Sequence, residues 1–160
     1  MNIFEYAMQM EKDGENFYRD LAQASDNPGV RNIFNMLADD EVKHCKIFED
    51  MKKDEKPQMA NTEVLTNAKN IFAQLKEEGE FDYVLPGIEL YKEAQELEKK
   101  SEDFYREKAT EAADEYQKEI LLKIAEEEKK HYFLLDNIIE FVSKPQTYLE
   151  NAEFHHIDEY

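Results

Sequence analysis

Residues that interrupt helices are scarce here: four Gly and four Pro in 160 positions. With Glu, Lys, Leu and Ala abundant, that scarcity points to a nearly all-helical protein, most simply one domain. There is one cysteine, Cys45. It excludes an internal disulfide and any four-cysteine iron or iron–sulfur centre within these residues, and it fits a reducing cytoplasm, the expected location. No basic stretch leads into an apolar run at the start, so no signal peptide is expected. No apolar stretch approaches membrane-spanning length. Positive charge is also short: the net charge is −18, which argues against nucleic acid and anionic membrane as partners. Most of the carboxylates read as a solvated, mutually repelling surface.

What is present is four long helical patterns. The first runs from about Asn2 to Ser25 and stops at the turn cluster Asp26-Asn27-Pro28-Gly29. The second runs from about Pro28 to Asp54, before the break at Lys56-Pro57. A linking segment of about thirty residues follows. It contains a short amphipathic helix with Leu65, Ala68, Phe72 and Leu75 on one face and Gly79 beyond its end. The third long helix begins near Pro86 and continues to about Ala112; the fourth spans about Asp114 to Ser143, ended by Pro145. Short turns make hairpins of helices one and two (2–54) and of helices three and four (86–143). The long link leaves the second and third helices parallel, an up-down-down-up bundle over residues 1–144, with 145–160 as a short acidic tail.

The two hairpins repeat one another without a gap. At an offset of 87, Glu11 falls on Glu98, Phe17-Tyr18-Arg19 on Phe104-Tyr105-Arg106, Asn27 on Asp114, Glu41 on Glu128 and His44 on His131. In each second member of a hairpin the apolar heptad stripe is broken by two polar residues. One stripe reads Phe34, Leu37, Glu41, His44, Phe48, Met51, and the other Leu121, Ile124, Glu128, His131, Leu135, Ile138. An unpaired buried carboxylate costs several kcal/mol, and a bundle stabilised by roughly 5–15 kcal/mol does not carry several without a cation. Glu11 and Glu98 stand on the other two helices, at nearly the same distance from the turns as the Glu-His pairs. All six side chains are therefore expected to meet near mid-bundle.

Four carboxylates carry −4, which two divalent cations neutralise. Oxygen and imidazole donors suit iron or manganese and are compatible with zinc or cobalt. One Glu from each of two helices plus Glu-x-x-His from each of the others is the di-iron carboxylate arrangement. A lone Glu-x-x-His is weak, for Glu153-Phe154-His155-His156 also satisfies it; that copy reads as a solvated or docking segment. Tyr18 and Tyr105 read first as core aromatics, and their repeat two turns from Glu11 and Glu98 adds an expected hydrogen bond to a ligating carboxylate. Glu15 and Glu102 read equally as surface or channel-lining residues, Cys45 and the methionines as packing.

On these residues the chain, over about Asn2 to Ser143, resembles the rubrerythrin branch of the ferritin-like superfamily. The resemblance implies two iron ions bridged by Glu41 and Glu128, with Glu11 and Glu98 as terminal ligands and one histidine, His44 or His131, on each ion. It implies reduction of hydrogen peroxide or dioxygen, or oxidation of ferrous iron, and a homodimer. Two departures stand out. Rubrerythrins carry a Cys-rich rubredoxin-like domain that supplies electrons, so an external electron-transfer protein is expected here. They also have a further Glu one turn beyond the third-helix ligand, where this chain has Ser101, matched by Gly14 in the first hairpin. Iron storage without turnover, and a purely structural bundle, are the competing roles.

Overall fold

Asn2, Asn27 and Asp114 each start a long helix by the same device. Their side-chain oxygens accept from the backbone N–H of Glu5, Val30 and Tyr116 at 2.8, 2.9 and 2.9 Å, which satisfies donors that a helix start leaves open. The computed structural model describes residues 2–79, 82–150 and 157. Among them the helices are α1 (Ile3–Ala24), α2 (Pro28–Lys52), α3 (Val64–Glu78), α4 (Ile88–Glu111), α5 (Glu115–Ser143) and α6 (Pro145–Glu150).

The ends differ slightly from the sequence reading, for local reasons. The second helix stops at Lys52 because Asp54 turns left-handed, at φ 62°. The fourth element starts two residues after Pro86, with extended Gly87 as its cap. Gly79 ends α3 at φ 91°, a conformation that glycine adopts without a Cβ penalty.

α1 packs along α2 and α4 along α5, and the two hairpins face one another. Across α1 and α4 residue 18 meets 98 and residue 11 meets 105; across α2 and α5 residue 40 meets 131 and residue 44 meets 127. Both facing pairs are thus antiparallel, which makes α2 and α4 parallel, the order up-down-down-up. This is a ferritin-like bundle.

Both heptad stripes are buried along their whole length, Phe34 to Met51 and Leu121 to Ile138. Their polar middles divide the interior in two. One apolar cluster holds Tyr18, Phe34, Leu37, Leu135 and Ile138 with the inner face of α3, and the other holds Ala7, Phe48, Met51, Tyr105, Leu121 and Ile124.

Beyond Pro145 the chain does not simply trail away. Pro145 opens a further short helix, as its fixed φ allows. Tyr148 of that helix packs against Phe72 and Phe141 at ring distances of 5.0 and 5.8 Å. Glu153–His156 lies outside the described residues. Among the described residues no helix is long and apolar enough to cross a membrane.

Candidate metal centre

Glu11, Glu41, His44, Glu98, Glu128 and His131 converge between the two apolar clusters, each 3% exposed or less. They form two groups. Glu11, Glu41, His44 and Glu128 offer donor atoms all within 4.8 Å of one another, and so do Glu41, Glu98, Glu128 and His131. Glu41 and Glu128 belong to both groups. Each hairpin therefore provides three residues of one group and a single glutamate of the other.

Both imidazoles are oriented from outside. His44 Nε2 lies 2.8 Å from Glu127 Oε1, and His131 Nε2 lies 2.9 Å from Asp40 Oδ2. A carboxylate oxygen only accepts, so each Nε2 is a donor, and a ring in its neutral form presents the Nδ1 lone pair inward. Facing those lone pairs are more acceptors: Glu128 Oε1 stands 2.9 Å from His44 Nδ1, and Glu41 Oε1 stands 3.1 Å from His131 Nδ1. Neither oxygen has a hydrogen bond, nor has Glu98 Oε2.

Acceptors packed against acceptors need a cation between them. Donors bound at about 2.0–2.2 Å to one ion lie about 3 Å apart along a coordination edge, so these spacings fit a divalent ion. In the metal-free protein only protons serve. Burial and the neighbouring carboxylates, Glu11 first, push Glu41 and Glu128 well above the ordinary carboxylate range. Burial opposes charge on His44 and His131, but Glu11 beside one and Glu98 beside the other outweigh it and raise both.

The tyrosines bond crosswise between the repeats. Tyr18 donates to Glu98 Oε1 at 2.5 Å and Tyr105 to Glu11 Oε1 at 2.7 Å. Burial, with the adjacent glutamate charge, raises both phenols well above their usual value, so they stay protonated donors.

Asp40 and Glu127 escaped the sequence reading. Each immediately precedes a site glutamate, and each is the other's mate at the offset of 87; that extra coincidence was the available signal. Asp40 is held down to about 2: burial raises it, but the His131 hydrogen bond and charge prevail. Glu15 and Glu102 take no part in the cluster, Glu102 being paired with Arg106 at 2.8 Å and Glu15 facing Arg19 at 3.7 Å.

A cavity of about 50 Å³ opens between α1 and α4 and ends on Glu41, Glu98 and Glu128, with exposed Asp13 and Lys100 at its outer rim. Gly14 and Ser101 line it from the two helices. A Cβ on Gly14 would stand 2.8 Å from Glu41 Oε2, so glycine here allows the close approach of a site carboxylate. The volume holds only a few atoms.

The fold and the buried Glu/His cluster define a ferritin-like bundle with a candidate metal centre in its core. The family model for rubrerythrin matches residues 2–139, and the chain belongs to the rubrerythrin family. Searches of curated proteins and of solved structures gave no match.

Proposed function

We propose that this chain binds two iron ions, manganese or zinc being possible substitutes, and acts as an oxidoreductase. Its substrate is hydrogen peroxide or dioxygen, with oxidation of ferrous iron as the alternative use of the same site. The observation that carries this is the pair of four-residue groups sharing Glu41 and Glu128. Two ions sharing these two carboxylates would be able to act on one small molecule together.

Glu11, Glu41, His44 and Glu128 would hold one ion, and Glu41, Glu98, Glu128 and His131 the other. Ferrous ions held there would supply the two electrons, one from each ion, that reduction of a peroxide bond needs. The protein's part is position and access. Tyr18 and Tyr105 fix one oxygen each of Glu98 and Glu11. Glu127 and Asp40 hold the imidazoles in the Nε2–H form. The cavity between α1 and α4 admits a small oxidant to the carboxylate layer while the two apolar clusters keep bulk water out.

Cys45 alone builds no electron-transfer centre, so electrons come from a donor outside these 160 residues. A homodimer in the cytoplasm is the working assembly.

Anaerobic loading with ferrous iron followed by stopped-flow mixing with peroxide and with oxygen tests this. Rapid optical change and repeated turnover with an added reductant are expected. Stoichiometric mineral formation would instead indicate storage, and an inert protein would overturn the redox reading.

A further inference from the structure

Between α2 and α3 the chain crosses the bundle as an irregular strap, and one residue of it, Thr62, reaches both halves of the site. Its backbone N–H donates to Glu127 Oε2 at 2.8 Å, and its hydroxyl donates to Asp40 Oδ2 at 2.5 Å. Those two carboxylates are the ones that accept from His44 and His131.

The strap is seated just before Thr62, and just after it α3 begins with buried Val64. Lys43 donates to Ala60 O at 3.1 Å and lies 3.2 Å from Glu127 Oε1, Tyr116 donates to Pro57 O, and Met59 is buried. The Thr62 oxygen accepts the N–H of Val64 at 3.2 Å, which leaves its own hydrogen free to point at Asp40.

The hairpins repeat, but the strap occurs once. It meets a shorter carboxylate on one side and a longer one on the other, and uses a different donor for each.

We infer that Thr62 is a positioning residue for both candidate ions, its hydroxyl acting through Asp40 on the His131 group and its backbone N–H acting through Glu127 on the His44 group. The two handles are separable. Replacing the hydroxyl leaves the N–H in place, so the loss falls on one ion. This rests on the proposed metal binding.

Co(II) titration of the full chain, followed by its visible absorption, reads both ions without any turnover. In Thr62→Val the ion that is missing in His131→Ala should bind about tenfold more weakly, and the other within about twofold of wild type. Thr62→Ser should restore the first. In an Asp40→Asn background Thr62→Val should cost nothing further, whereas a general loosening of the strap would cost the same in either background. Should Thr62→Val fail to fold, Thr62→Ala carries the same comparison. Wild-type affinity for both ions in the valine or alanine variant, equal loss of both, or an undiminished loss in the Asp40→Asn background would each overturn the inference. Wild-type protein that takes up no Co(II) would overturn the metal reading itself.

Discussion

The hydroxyl of Tyr18 on α1 donates to Oε1 of Glu98 on α4 at 2.5 Å, so a residue of the first hairpin holds a site carboxylate of the second. Tyr105 returns the bond to Glu11 at 2.7 Å, and the imidazole–carboxylate bonds cross in the same way. The site belongs to the assembled bundle, and neither hairpin contains a complete copy.

Tyr18→Phe removes one of these crossing bonds and little volume. Glu98 Oε1 then keeps only its approach to His131 Nδ1, at 3.2 Å. The ion beside His131 should be held about tenfold more weakly, with the ion beside His44 little changed. Tyr105→Phe should give the mirror result. Titrations of both variants against wild type check the pair; equal loss of both ions in each would contradict the crossed arrangement.

Glu41 and Glu128 are shared, while Glu11 and Glu98 each serve one group. Glu41→Leu should therefore abolish both ions, and Glu11→Ala only one. The same Glu41→Leu change removes a buried carboxylate whose charged form is disfavoured by burial and by Glu11. With one crowded carboxylate fewer beside Glu11 and Glu98, the metal-free variant should be more stable than metal-free wild type. Metal analysis and denaturant unfolding of both proteins measure these opposite effects.

Much of this was legible in the sequence because it is carried by helices. The heptad stripe places Glu41 and His44 in the core, the offset of 87 doubles them, and the same offset pairs Tyr18 with Tyr105. Asp40 and Glu127 were not legible, since each sits about 100° around its helix from a core position in a chain with 38 acidic residues. There a further Asp or Glu reads as surface. Thr62 was hidden for another reason: periodicity says nothing about an irregular strap. Packing of Tyr148 on Phe72 depends on where the bundle leaves α3, which residues 145–150 alone do not encode.

Gly14→Ala tests the close approach of α1 to Glu41. Alanine favours a helix interior by about 1 kcal/mol over glycine, but its Cβ would sit 2.8 Å from Glu41 Oε2. In the metal-free protein that carboxylate is the end of a side chain and can shift, so the melting temperature should hold or rise. Ion binding requires the carboxylate in place, and affinity should fall by about tenfold, or ~1.4 kcal/mol. An unchanged affinity would show that Glu41 has room to move.

Protonation gives the last prediction its sign. Glu41 and Glu128 are raised from an ordinary 4.5, and His44 and His131 from 6.5. Raised groups contribute stability that is complete below their unfolded values and is lost as pH rises through the folded ones. Asp40, lowered to about 2 from 3.8, and Glu98 and Glu127, lowered from 4.5, contribute in the opposite sense, losing their stabilisation as pH falls. The metal-free protein should thus be most stable under mildly acidic conditions and should weaken from about pH 5 upward. An ion entering the site must displace the protons on those four raised groups, so its binding should release protons and tighten with rising pH. Melting curves across pH with and without Zn(II), together with calorimetry in buffers of different ionisation enthalpy, measure both effects. A metal-free protein that gains stability between pH 5 and 8, or ion uptake without proton release, would mean that no protons occupy the carboxylate layer.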